Sequence, residues 1–439
     1  MKYVAFLLAA GFGVPLGALF LKCFPRWHGV WTAAVLFLTV KTVDINFWSR
    51  RFYRGTSRGF EVSLVDLMML SMALYLLLYR RQTLRWWPRG SVWYSLFFLG
   101  SVVSLSGSDI WLYSGFELLK MLRMYLMFWV MYQWLQDPAL WRWVYHSMGI
   151  VMAYIFLTML QQKYLMGIWQ ARGPFPHQNS LMMYTNLLNC LLFSHALNLK
   201  QRSGQSLLAF VYVGMGVLCT LFTFSRGGLM FLGVGLMLVL CISLRPREIS
   251  LRKLTVLGMM ALAGAGIAYK AADSVLSRFE TAPKESMEVR EVLAVAALNM
   301  VADKPLGVGL NQFGLKINPP YPYGNHIPRK EPGPYEEEEK GGLVETVYLM
   351  IAAESGWHTL VAYLIFVWGF AGRAFWLYCK TPSGVIKYWS LGLSCGLTCI
   401  LLNSCFEWVL KQSNNFYQLM MVFALILALQ DGAKYNVAK

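Results

Sequence analysis

Apolar residues along the chain gather in blocks of about 18 to 22, the length that crosses a hydrocarbon core as a helix. Blocks at 3–22, 29–47, 62–79, 92–107, 113–135, 143–162, 180–199, 207–224, 228–244, 254–271, 346–371, 385–406 and 413–430 predict an all-α polytopic membrane protein. The expected count is about 12–13 transmembrane helices, with 92–107 and 207–244 the least distinct. The first block, Tyr3 to Phe20, follows a single lysine and lacks a small-residue cleavage site, so it reads as a retained span rather than a signal peptide. No repeat of 20–50 residues is visible.

A single long polar insertion, Asp273 to Gly342, interrupts the pattern and is too long for an idle connector. It divides the chain into N-terminal helices (1–170), central helices (171–272), the insertion (273–342) and C-terminal helices (343–439). The expected architecture is thus a helical membrane bundle with one large extracytoplasmic segment.

Composition agrees with the pattern. Of 439 residues, 57% are hydrophobic and 14% charged, too few charges for a soluble chain of this size. The net charge of +17 sits in short clusters between apolar blocks, which points to membrane lipids and pyrophosphate-bearing lipids rather than nucleic acid. Arg80/Arg81/Arg85/Arg89, Lys200/Arg202, Arg245/Arg247/Arg252/Lys253 and Arg373/Lys380/Lys387 all fall on one side, the expected cytoplasmic face. The insertion then faces outward. Arg50, Arg51, Arg54 and Arg58 fall on the outer side against the rule, which suggests that they have a task there. The eight cysteines are scattered, with no CxxC pair, and read as buried small hydrophobes rather than a disulfide framework or zinc site.

On this topology three arginines meet at the outer face: Arg172 in "ARGPFPHQNSL", Arg226 in "TFSRGGLM" and Arg290 in "EVREVLAVAALNMVADKPLGVGLNQFG". A guanidinium is a fixed fork of donors that stays charged, which suits a phosphate or pyrophosphate. An arginine between two spans costs on the order of 2.5–3.5 kcal/mol on insertion scales, so Arg226 needs a reason to be there. The bland alternatives are a snorkelling Arg226 and a solvated Arg290. Glu345, at the start of the block "VETVYLMIAAESGW", is a candidate general base, or simply a carboxylate stabilised by a helix N-terminus. Glu354, nine residues on, would face away from it on a continuous helix and pair inside the bundle.

Other groups carry weaker signals. His326 in "PYGNHIPRK" is a candidate acid/base or phosphate contact, and "YEEEEK" (Tyr335 to Lys340) reads as a solvated acidic loop. Glu117, Lys120 and Arg123 read as an internal ion network, and Lys41 with Asp44 likewise. "GVGLNQFG" lacks the lysine and strand–helix setting of a nucleotide cradle.

Together "TFSRGG", the arginine ahead of "ADKPLGVGLNQF", "VETVYLMIAAESGW" and "RGPFPHQNSL" resemble the bacterial O-antigen ligase and polymerase superfamily over roughly residues 170–365. The resemblance implies a membrane glycosyltransferase of the inner membrane, active at its periplasmic face. Such an enzyme moves a glycan from an undecaprenyl-pyrophosphate donor to an acceptor glycan or lipid-linked acceptor, without nucleotide sugar, cofactor or required metal. Carried over, Arg226 and Arg290 grip the pyrophosphate, and Arg172, His177, His326 and Tyr348 are substrate contacts. Where the ligases have histidine this chain has Glu345, and Thr346 stands where asparagine is common. Glu345 is then the base, or marks a branch with its proton acceptor elsewhere, or marks a silent accessory subunit. A lipid-linked glycan transporter is the rival class; it predicts an internal repeat and paired broken helices, neither of which is visible.

Overall fold

The computed structural model describes residues 2–49, 53, 55–198, 204–244, 249–260, 262, 284–328 and 341–437. The "YEEEEK" run, Lys200/Arg202, Arg245/Arg247, Arg50, Arg51, Arg54 and much of the 254–271 block lie outside them. Helices dominate: α1 (Lys2–Leu8), running through a π turn into α2 (Val14–Cys23), α3 (His28–Leu38), α4 (Leu64–Tyr79), α5 (Ser91–Val103), α6 (Trp111–Trp134), α7 (Trp141–Leu160) and α8 (Gln178–Asn198). They continue with α9 (Gly204–Phe222), α10 (Arg226–Ser243), α11 (Lys284–Asp303), α12 (Val347–Ser355), α13 (Trp357–Lys380), α14 (Val385–Asn403) and α15 (Ser413–Val437).

Six helical segments among the described residues are long and apolar enough to cross a membrane, and three shorter apolar helices accompany them. The six are counted among the described residues, which leave out much of the 254–271 block, and polar helices of the bundle fall below that apolar measure. Helix α6 is long enough but carries Glu117, Lys120 and Arg123. Helix α8 is buried from Ser180 to Asn198, packed among α9, α10 and α14, so it holds Asn186, Asn189, Ser194 and His195 without meeting lipid. The chain is a multi-pass membrane protein whose innermost helices are its more polar ones.

The expected 29–47 span is corrected. Helix α3 stops at Leu38, and Asp44–Ser49 (β1) pairs antiparallel with Gly59–Ser63 (β2). Lys41 is exposed and Asp44 opens a strand, so the two are not an intrahelical ion pair. Ser63 then ends the hairpin and caps α4: its hydroxyl accepts from the Asp66 N–H while the Asp66 carboxylate accepts from the Ser63 N–H. Half of the cysteines depart from expectation too. Cys190, Cys219, Cys395 and Cys399 are buried; Cys23, Cys241, Cys379 and Cys405 are exposed.

The predicted network on α6 splits in two. Arg123 pairs with Asp66 at 2.8 Å and also donates to the Tyr417 hydroxyl. Glu117 pairs with Lys120 at 2.7 Å and with Lys411 at 3.4 Å, and Lys411 reaches Glu354 at 3.3 Å. Two carboxylates and two ammonium groups thus balance inside the bundle, where an uncompensated charge would be costly.

The eleventh block is not one helix. At Gly356 (φ 85°) the backbone takes a conformation that L side chains rarely adopt, and α12 breaks from α13. The carbonyls of Ala353 and Glu354, left without helical partners at the break, accept from the Val308 and Gly309 N–H groups at 2.9 and 3.1 Å. That contact explains "PLGVGLNQF": at Gly307 (φ 98°) a Cβ would sit 2.4 Å from the Glu354 carbonyl oxygen. Asn311 completes the join, donating to the Ser57 and Tyr113 carbonyls and accepting from the Ser57 N–H. The motif is a backbone splice tying the insertion to the hairpin, α6 and the broken helix.

The β hairpin, residues 104–110, 166–177, 223–225, the described insertion residues and 404–412 gather at one end of the bundle, joined by contacts such as Lys316–Asp109. At the other end Arg85 meets Asp431 and Arg373 meets Gln430, while Lys253 donates to the Ser243 carbonyl.

Candidate active site at the insertion end of the bundle

Helix α11 delivers Arg290 to the mouth of the bundle. Its Nε lies 2.5 Å from Glu345 Oε2, and its second terminal nitrogen 3.5 Å from Glu407 Oε1. Arg290 is 43% exposed, Glu345 34% and Glu407 10%, so the cation faces outward and Glu407 lies deepest. Glu345 Oε2 is enclosed yet has no donor aligned as a hydrogen bond, so its contact with Arg290 is one of charge.

Glu345 is not a helix cap. The N-cap of α12 is Thr346, in extended backbone, and Glu345 precedes it. Glu354 lies within α12, two residues before the break at Gly356, and pairs with Lys411, so the two acids serve separate assemblies.

Glu407 was missed in the sequence. It lies in "SCFEWVL", between α14 and α15, and its Oε1 accepts from Asn179 Nδ2 at 2.5 Å. Burial pushes its carboxyl pKa up to about 7, with the neighbouring Glu345 adding to the rise and the Asn179 bond and Arg290 opposing it. The available signal was an acid between two apolar blocks, the same reasoning that singled out Arg226.

Arg226 is the first residue of α10. Ser225 caps that helix by accepting from the Gly228 N–H, and Phe224 before it takes φ 52°, making the sharp turn. The turn adjoins the end of α14: a Cβ on Gly227 would lie 3.8 Å from Asn403 Oδ1, and Phe231 packs against Phe406. Arg226 itself is exposed and has no ion-pair partner among the described residues. It sits beside the loop that carries Glu407, at an N-terminus suited to an anion.

The other expected residues are placed differently. The His326 ring bonds the Val292 carbonyl of α11 at 2.7 Å, pinning the insertion to the Arg290 helix. The Tyr348 hydroxyl donates to the Leu401 carbonyl at 2.7 Å and so serves packing between α12 and α14. Arg172 donates to the Pro176 carbonyl, and His177 Nδ1 accepts from the Asn179 N–H. Burial and the Arg172 charge lower the His177 pKa. Arg172 lies on a separate cavity of about 550 Å³, which Trp408 also lines next to Glu407.

A cation held between two carboxylates, one of them near neutral, at the rim of a membrane bundle can bind an anion and move a proton in one place. A search of curated proteins finds no match to the chain. Residues 208–364 match the family model described as O-antigen ligase, a stretch from α9 into α13 that includes Arg226, Arg290 and Glu345. The matched stretch is thus similar to the O-antigen ligase family over about a third of the chain, and it carries two of the three residues gathered at the Arg290 site.

Proposed function

We propose that this protein transfers a glycan from a polyprenyl-pyrophosphate donor, undecaprenyl pyrophosphate in bacteria, to an acceptor sugar at the periplasmic face of the inner membrane. The observation that carries the reading is Arg290 set between Glu345 and Glu407 inside and beside the matched domain. Arg290 and Arg226 hold the pyrophosphate and stabilise the charge that grows on it as the glycosyl–oxygen bond breaks. The acceptor hydroxyl attacks the anomeric carbon, the pyrophosphate leaves with the bonding electron pair, and the hydroxyl proton passes to a carboxylate. Glu407 suits that last role best: it is ionised in part near neutral pH and basic enough to take a proton. Glu345 holds Arg290 in line and shares the charge of the pair.

Whether the acceptor makes the enzyme a polymerase or a ligase is a matter of what occupies the acceptor side; the glutamate in place of the ligase histidine favours polymerisation. The experiment is glycan transfer by purified protein in detergent, with an undecaprenyl-pyrophosphate oligosaccharide and added acceptor. Wild type should form a new glycosidic bond, and Arg226→Ala, Arg290→Ala and Glu407→Gln should each lose it while eluting as folded protein. Glu345→Gln should weaken transfer less than Glu407→Gln. Full transfer by both arginine variants would sink the pyrophosphate assignment, and substrate movement across sealed vesicles with no new bond would put a transporter in its place.

A further inference from the structure

The cavity of about 550 Å³ beside the site has a composition of its own. It opens between the β hairpin, the 172–176 loop and the start of α15, and it shares with the Arg290 site only the neighbouring pair Glu407–Trp408. Two of its arginines, Arg58 and Arg172, are exposed, and neither has a carboxylate ion-pair partner among the described residues. Arg123, which also lines it, is by contrast held by Asp66.

The lining sets three arginines against two carboxylates, Asp44 and Glu61, and burial pushes the Glu61 carboxyl pKa up; the rest of the lining is that of a sugar site. Gln412 accepts from Ser180 and Asn414 donates to the Thr39 carbonyl, which leaves the other amide atom of each for a ligand. Trp408 offers an apolar face against which a pyranose ring can stack. Guanidinium groups add a selective element, because they pair with a carboxylate or a phosphate and gain little from a neutral hydroxyl. The outward placement of Arg58, against the charge rule for membrane loops, is accounted for by the same ligand.

We propose that this cavity is the acceptor subsite and binds a saccharide bearing an anionic group, with Arg58 and Arg172 taking the anion and Trp408 the adjoining ring. The term acceptor rests on the transfer reading above; binding of an anionic saccharide does not. Trp408 follows Glu407 directly, so a sugar stacked there brings its hydroxyl towards the proposed base. Arg172 then belongs to the acceptor side and not to the pyrophosphate.

The test separates the two claims. Equilibrium binding to purified full-length protein, with no donor present, would be measured for digalacturonate, galactobiose and glucose 6-phosphate. Wild type should bind the anionic probes at least tenfold tighter than galactobiose, and Arg58→Gln/Arg172→Gln should abolish the difference. Arg58→Lys/Arg172→Lys should keep part of it and report on folding. A preference for digalacturonate alone identifies a carboxylate sugar, and for the phosphate alone a phosphorylated one. Equal binding of all three probes, or a preference that survives the glutamine pair, overturns the inference. So does loss of undecaprenyl pyrophosphate binding in the glutamine pair, which would make this the donor site. If transfer itself is never observed but anion selectivity holds, the subsite stands and the transfer reading falls.

Discussion

Among the described residues Lys411 is the one cation that both Glu117 and Glu354 approach, at 3.4 and 3.3 Å, with Lys120 neutralising Glu117 from its other side. Lys411→Met removes one of the two positive charges in this cluster and leaves its two carboxylates with one ammonium group. Both carboxylates are fully buried and Lys411 is 7% exposed, so solvent cannot take over the lost charge. Breaking a buried pair by deleting one partner costs about 3–5 kcal/mol. With an unfolding entropy near 2.1 cal/mol/K per residue, as in soluble domains, 439 residues give about 0.9 kcal/mol/K, so the midpoint should fall by roughly 3–5 °C. Tryptophan fluorescence during thermal unfolding in detergent would measure it, since the chain has 17 tryptophans. The sharper arm is Glu354→Gln/Lys411→Met. It leaves the Glu117–Lys120 pair balanced and should recover part of the loss, whereas Glu354→Gln alone leaves an excess positive charge and should be destabilising. Equal losses in the single Lys411 variant and the double variant would refute charge balance as the reason for the cluster.

The remaining expectations are shorter. Because the Glu407 pKa rises from 4.5 to about 7 on folding, the folded state binds the extra proton, and wild-type stability should decline as pH rises from about 4.5 through 7; Glu407→Gln should flatten that slope in thermal scans at stepped pH. Transfer should instead rise with pH through about 7 and level off, as the base ionises, and Glu407→Gln should cut it by about 10²–10⁴-fold in the same assay. Gly307→Ala forces a side chain against the Glu354 carbonyl at positive φ, and should lower the unfolding midpoint and release protection of the Val308 and Gly309 amides in hydrogen exchange. Ser225→Ala removes the cap of α10 and should cost about 1 kcal/mol by chemical denaturation.

Much of this was legible in the chain, for reasons that particular residues make plain. Membrane helices announce themselves by length and apolar content, and the blocks ending near Tyr79, Ser243 and Asn403 coincide closely with α4, α10 and α14. The arginine of "SRGG" stood out because hydrocarbon makes an arginine conspicuous. Glu345 and Arg290 were singled out separately, but 55 residues apart their contact is a tertiary fact that no periodicity encodes. Glu407 was overlooked because a lone acid in a short loop looks solvated; in the fold it is enclosed and accepts from Asn179, on a helix 228 residues earlier. The hairpin was hidden because "VDINFWS" is as apolar as a helix end, and only pairing with Gly59–Ser63 reveals a strand.

The loop from Ser404 to Gln412 also sets an order of assembly. It carries Glu407, the wall residue Trp408 and Lys411, and it follows every helix that those residues join except α15. While the chain emerges in sequence, Glu117 and then Glu354 take their places before the cation they share exists. The last helical pair therefore acts as a closing bolt: neither the buried charges nor the mouth is complete until α14 and α15 have entered the bundle. A chain halted before Val385 would hold a carboxylate at Glu354 with no partner at Lys411, marked for rejection by its own electrostatics before it could act on any substrate.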